Sequence, residues 1–452
     1  LMSQASCKWT LVERLALSAY DFVLRILQPL LRRKLRLRAQ KEPEYVLNVA
    51  QRFGQYAGDI PTGGFVWLHA VSLGETRAAA LLLPALRLAF PGMRLLLTHS
   101  TATGLVQGRS LLKPDDVQAW LPWDTAQATH QFLQHFKPRI GLLMETEVWP
   151  SLVMACQRAG MPLCLINARM SEKSWRQAMR WKVLAGPAYR GLTLVLAQSE
   201  SDAQRLKKLG CPDVRVVGNL KFDVVVAEQA RTLAERWRGV LSSRPLVMLA
   251  STREGEESLW IQALQSHPDC SAQLKALNVL WLVVPRHPQR FHEVYDQIEQ
   301  AGMRCIRRSS WGDGKPDALI VTSADVILGD SLGEMQAYYL LSRVALLGGS
   351  FEPFGGQNLI EAAACECPVI MGPHTFNFSE AAALAKQEGA ASQVQDMRAA
   401  LDHVIAILTD PERLQRERLG AVRLLENGRG AVAEHIKLLQ SSGYLNMSEV
   451  VV

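Results

Sequence analysis

Short apolar runs that end in polar clusters, separated by helix-patterned stretches, recur from Phe65 onward and constrain the fold more than any other feature of the chain. One series occupies 65–71, 93–98, 140–144, 163–167, 192–198 and 214–218. A polar helical stretch at 227–238 leads to a second series at 246–250, 279–285, 318–321, 344–348 and 368–371, and helical patterning closes the chain from about 397 to 440. Strands buried on both faces and alternating with helices are the mark of parallel α/β layers. A chain of 452 residues exceeds one ordinary core. The pattern therefore predicts two doubly wound, Rossmann-like domains facing a cleft, over 43–222 and 223–440, with an N-terminal helix and basic cluster at 1–42 and a tail at 441–452. Ligands of such sheets sit at the carboxyl ends of the strands.

Several function classes lose ground at once. Neither series carries G-x-G-x-x-G or G-x-x-x-x-G-K-[ST], so dinucleotide and P-loop chemistry are disfavoured. The formal charge is +7, but nine lysines and arginines and only two acids fall within residues 1–41, which leaves the rest of the chain neutral. A basic nucleic-acid-binding module is not implied. Eight cysteines without a C-x-x-C pair give no zinc pattern and suit a reducing compartment. His69, His287 and His374 lie in separate segments without ligand spacing, so each is expected to be a structural, hydrogen-bonded histidine and no metal is expected.

Residues 9–31, WTLVERLALSAYDFVLRILQPLL, are long enough to span a bilayer yet include Glu13, Arg14, Asp21 and Arg25. Arg14, Ser18, Asp21, Arg25, Gln28 and Arg32 share one stripe of a helical wheel, which suits an interfacial helix better than a buried span. The following RRKLRLR would meet an anionic membrane surface, each cation adding about 1 kcal/mol. An amphipathic helix packed on the first domain is the alternative.

The polar clusters hold the candidate chemistry. Ser72-x-x-Glu75 matches a capping box. A helix amino terminus would also keep the Glu75 carboxylate ionised, as a proton acceptor must be. Glu145 and Glu147 fall on one side if their strand continues, or one of them starts the helix that Pro150 favours. Lys221 in NLKFD has no role by itself. The second series ends in TREGEE, PRHPQR, DSLGEMQ, GGSFEPFGGQNLIEAAA and GPHTFNFSE. There glycines and Arg286 suit a phosphate, and Gly355-Gly356 before a helix near Asn358 suggests an amide-lined anion site. Together they suggest a nucleotide-linked donor.

Taken in order, HAVSLGE, METEVWP, INARMS, GNLKFD, TREGEE, PRHPQRF, GGSF, GGQNLIEAAA and GPHTFNF resemble the 3-deoxy-D-manno-octulosonic acid (Kdo) transferases, inverting glycosyltransferases of GT-B fold. The resemblance implies transfer of Kdo from CMP-Kdo to the lipid A precursor (lipid IVA) in lipopolysaccharide assembly, at the cytoplasmic face of the inner membrane and without metal or other cofactor. It implies Glu75 as proton acceptor, with Glu145 and Lys221 stabilising the transition state. CMP would be held by Pro285 and Arg286, by Leu332, Gly333 and Glu334, and by Asn358, Leu359, Ile360 and Glu361. Gln357 and Leu332 depart from the family pattern, where His and Met are common. A nucleotide-sugar epimerase of the same architecture is the competing enzyme reading.

Overall fold

A computed structural model of the chain describes residues 9–444 apart from 41, 59–62, 242–243, 312–313 and 315. Residues 1–8, Lys41 and the tail beyond 444 therefore lie outside the described residues. The chain forms two compact units, Leu1–Asp223 with Arg429–Val452, and Val224–Gly428.

Among the described residues, the first unit carries β1 (Val66–His69), β2 (Leu95–His99), β3 (Val117–Trp120), β4 (Ile140–Met144), β5 (Leu163–Ala168), β6 (Leu194–Ala197) and β7 (Val214–Val216). They form one parallel sheet in the order β3-β2-β1-β4-β5-β6-β7. Alternate side chains leave the sheet on opposite faces. Trp67, Leu96 and Leu143 pack with Phe132 and Leu152 on one side, while Leu68, Leu97 and Leu142 pack with Leu82 and Leu86 on the other. Both faces are dry, which is why these strands read as continuous apolar runs.

The second unit contains β8 (Leu246–Thr252), β9 (Leu280–Pro285), β10 (Cys305–Arg307), β11 (Val326–Leu328), β12 (Val344–Leu347), β13 (Val369–Met371) and β14 (Ala391–Gln393). They are ordered β10-β11-β9-β8-β12-β13-β14, again all parallel. Gly348, directly after β12, has no room for a side chain, because a Cβ there would lie 2.3 Å from the Ser251 carbonyl oxygen at the end of β8. The two neighbouring strand ends can approach only through that glycine.

Three expectations are corrected. Residues 318–321 are not a strand but open the helix Ala318–Ser323, whose N-cap Asp317 accepts the Leu319 N–H at 2.8 Å; the strand is β11, a few residues later. A four-residue apolar run has too little periodicity to separate the two. Strands β3, β10 and β14, three or four residues each and at or near sheet edges, had no pattern to announce them. Finally, the helix Ala431–Ser441 belongs to the first unit rather than the second. Asp223 accepts the N–H groups of Gly430 and Val432 at 2.7 and 2.6 Å, and Ala431 and Leu439 are buried beside Leu82.

Candidate active site

The first sheet changes direction between β1 and β4, and a crevice outside the carboxyl ends of the strands at such a point is where α/β sheets bind ligands. The loop after β1 enters the helix Leu73–Ala89 with Ser72 as N-cap, its hydroxyl accepting the Glu75 N–H at 3.4 Å. The Glu75 carboxylate reaches back one residue beyond the cap, and its Oε2 accepts the Val71 N–H at 2.8 Å. Burial pushes the Glu75 carboxyl up to about 8, the charges of Glu145 and Glu147 add to the rise, and the Val71 amide and Ser72 oppose it. The helix terminus was expected to hold this group ionised; desolvation outweighs it.

Strand β4 stops at Met144, so Glu145 and Glu147 do not continue a strand side by side. Glu145 adopts a left-handed backbone (φ 58°), uncommon for a residue with a side chain. Its own N–H still bonds the Ile166 carbonyl and its C=O accepts the Arg169 N–H, both at 3.1 Å, which pins the turn to the end of β5. Glu147 instead accepts the indole N–H of Trp149 at 2.8 Å, and burial raises its carboxyl. Neither acid starts the helix Pro150–Arg158. Buried Asp124 does, accepting the N–H groups of Ser151 and Leu152 at 3.0 and 2.8 Å. Nothing in the sequence around Asp124 marked it for that task.

Lys221 comes from the short turn Leu220–Asp223 and donates to Glu145 Oε1 at 3.1 Å. Lys221 and Glu145 are only 24% and 15% exposed. The cation and the left-handed glutamate thus meet beside Glu75, although they are 76 residues apart in the chain.

Their meeting depends on residues that sequence reasoning passed over. Asn167 of INARMS accepts the Leu220 N–H at 3.0 Å through Oδ1, and its own N–H is donated to His435 Nε2 at 3.0 Å. Asp223 fixes the far end of the same turn to the helix Ala431–Ser441. The order of polar motifs in the chain was the available signal; their mutual contacts were not. His69 is fully buried against Thr98, with burial lowering its imidazole to about 3. Among the described residues no group of three His, Cys, Asp or Glu side chains is arranged to hold a metal ion.

In the second unit, Pro285 ends β9 and Arg286 follows it, Leu332, Gly333 and Glu334 follow β11, and Asn358 to Glu361 follow β12, all at or beyond carboxyl ends of adjacent or near-adjacent strands. Leu332 is 76% exposed, and Gly333 is left-handed (φ 84°). Glu334 is already engaged, accepting from Arg308 at 2.7 Å and from the Tyr338 hydroxyl at 2.9 Å. Leu359 and Ile360 are buried, each only 1% exposed. The helix expected near Asn358 begins at Ile360 and is five residues long; Asn358 Oδ1 accepts the Ile360 N–H at 3.2 Å.

Two of the conspicuous motifs hold this edge together. Glu256 of TREGEE, buried, accepts the N–H groups of Arg253, Gly349 and Phe351 at 2.7–3.0 Å. Glu257 receives both terminal nitrogens of Arg290 from PRHPQR at 3.0 and 2.8 Å. Such a buried bidentate pair ties the ends of β8 and β9 to each other.

Two doubly wound units, each built on a seven-stranded parallel sheet, give the chain a fold of GT-B type, with acids and a lysine gathered at the switch point of the first sheet. A solved glycosyltransferase from Rickettsia africae has the same fold, with TM-score 0.55 at 14% identity, covering 86% of this chain and 100% of that one. A family profile described as 3-deoxy-D-manno-octulosonic-acid transferase (kdotransferase) matches residues 47–224. The 3-deoxy-D-manno-octulosonic acid transferase of Bordetella pertussis is 44% identical over 407 residues, 88% of this chain and 92% of that protein. That of Haemophilus influenzae is 31% identical, covering 93% and 97%. The chain belongs to the 3-deoxy-D-manno-octulosonic acid transferase family, and its reaction is glycosyl transfer.

Proposed function

We propose that the protein moves Kdo from CMP-Kdo to a sugar hydroxyl of the lipid A precursor with inversion, using Glu75 as proton acceptor and no resident metal. The meeting of Glu75, Glu145 and Lys221 at the switch point carries this reading. The acceptor oxygen attacks the anomeric carbon while the bond to the CMP phosphate breaks, the electron pair leaves with CMP, and the hydroxyl proton passes to Glu75. A carboxyl raised to about 8 is well matched to that task, since a general base works best with its pKa near the operating pH. The sugar centre gains positive charge and the departing phosphate negative charge, so Glu145 and Lys221, fixed in advance, each oppose one of them.

For the donor, the positions of Pro285, Arg286, Leu332, Gly333, Glu334 and Asn358 to Glu361 along one sheet edge support CMP binding there. Glu334 would act through Arg308 and Tyr338, which it already holds, and buried Leu359 and Ile360 by fixing the shape of their loop.

The N-terminal helix supports attachment at a membrane surface. Among the described residues no helix is long and apolar enough to cross a membrane. The helix Leu11–Ile26 turns Arg14, Ser18, Asp21 and Arg25 toward the first unit, where they line a groove with Ala126, His130 and Arg158. Trp9 donates to Gln157 at 2.8 Å, Arg190 to Glu13 at 2.5 Å and the Ala126 N–H to Asp21 at 2.7 Å. Leu11, Val12, Leu15, Phe22, Val23 and Ile26 are left exposed. A helix that packs by its polar stripe and shows its apolar face outward suits lipid, with the basic helix Gln28–Ala39 following it.

Mass spectrometry of the product from CMP-Kdo and a tetraacylated lipid A precursor tests the reading. Addition of Kdo to the lipid with release of CMP is expected; an unchanged lipid would overturn it.

A further inference from the structure

The second unit has a cavity of about 480 Å³ that the proposed chemistry does not use, lined by Arg231, Arg238, Arg244, Arg343 and Arg418 with a single carboxylate, Glu366. Arg244 lies two residues before β8, Arg343 directly before β12 and Glu366 three residues before β13, so the cavity opens at the amino ends of the strands. The donor-edge residues follow the carboxyl ends, about 20 Å away along a seven-residue strand. Arg231 and Arg238 stand two turns apart on one face of the helix Glu228–Leu241, and Arg418 comes from the helix Pro411–Gly428.

What sets this group apart is its lack of counter-charge. Several other arginines of the unit are paired, as in Arg290 with Glu257, Arg308 with Glu334 and Arg413 with Glu417. Arg231, Arg238, Arg343 and Arg418 form no ion pair among the described residues. Arg244 alone is spent, donating to the carbonyls of Asn278, Val279, Val321 and Ala324. The Nε of Arg418 is buried without an acceptor, so that side chain's donors are not all satisfied by the protein. Guanidiniums cannot discharge by losing a proton, so several lining one concavity favour an anion there.

We propose that this cavity binds an anion carrying clustered phosphates, held by the guanidinium forks of Arg231, Arg238, Arg343 and Arg418. Phosphate oxygens match that fork bidentately, and a cavity of this size accepts a group larger than a single phosphate. The ligand is either a soluble polyphosphate or a phosphorylated lipid headgroup, which the same oxygens would make equivalent to the arginines.

Calorimetric titration of the full chain with inorganic pyrophosphate, with CMP present to fill the donor edge, is one arm of the test. Sedimentation with phosphatidate-containing vesicles is the other. In at least one arm, Arg343→Gln with Arg418→Gln should weaken binding tenfold or more. The corresponding lysine pair should restore part of it, and glycosyl transfer and the melting temperature should stay at wild-type values. Loss in the first arm identifies a soluble ligand and loss only in the second a lipid. Binding that is absent from both arms, or indifferent to the glutamine substitutions in both, would overturn the proposal.

Discussion

At Glu75 a structural and a chemical demand fall on one carboxylate. Ser72 takes over the capping of the helix, and Glu75 is left bound to the Val71 amide in surroundings that disfavour its charge. For an acid whose carboxyl is raised by burial, the ionised form gains ground only as pH climbs toward about 8. If that form accepts the proton, kcat/KM should rise roughly in proportion to hydroxide below pH 8 and level off above it. A pH profile that is flat from 6 to 9 would contradict the assignment. The same linkage acts on stability with the opposite sense: the uncharged carboxyl suits the fold, so this residue favours the folded state most below its unfolded value of about 4.5, and that contribution is lost as pH rises toward about 8. Among single residues, the sequence pointed to Glu75, Glu145 and Lys221 as candidates but not to the raised carboxyl of Glu75. Burial, which sets the sign at Glu75, and the left-handed turn at Glu145 are products of the packed loops rather than of the local residues.

Among the elements, the turn Leu220–Asp223 is the one on which the site depends, because Lys221 has no other route to Glu145. It is held at one end by Asn167 and at the other by the helix Ala431–Ser441 through Asp223. Asp223→Ala removes the acceptor for two helix-terminal amides and should cost about 1 kcal/mol in chemical denaturation. It should also lower kcat several-fold with little change in KM for the donor, since Lys221 would be less well placed. An unchanged kcat would mean the turn holds Lys221 unaided. The longer strands were legible because their apolar runs are confined between polar clusters. The edge strands β3, β10 and β14 and the return of the last helix to the first unit were not, because strands of three or four residues carry no period and long-range packing leaves no local trace.

In the molecule as a whole, likeness to the family extends over most of the chain, while the lipid-facing surface proposed for it rests on the helix Leu11–Ile26. Leu15 and Phe22 are 63% and 65% exposed, so glutamate at both positions should fold normally. Such a protein should sediment at least tenfold less with anionic liposomes and keep its affinity for CMP, whereas equal sedimentation would remove the membrane-facing role of that helix. In the proposed reaction, Glu75 takes the proton of the acceptor hydroxyl. It is tested most directly by Glu75→Gln, assayed for transfer from CMP-Kdo and, separately, for CMP binding. The account predicts a fall in kcat of about 10² to 10⁴ with CMP affinity unchanged; transfer at the wild-type rate would show that Glu75 serves only the start of its helix.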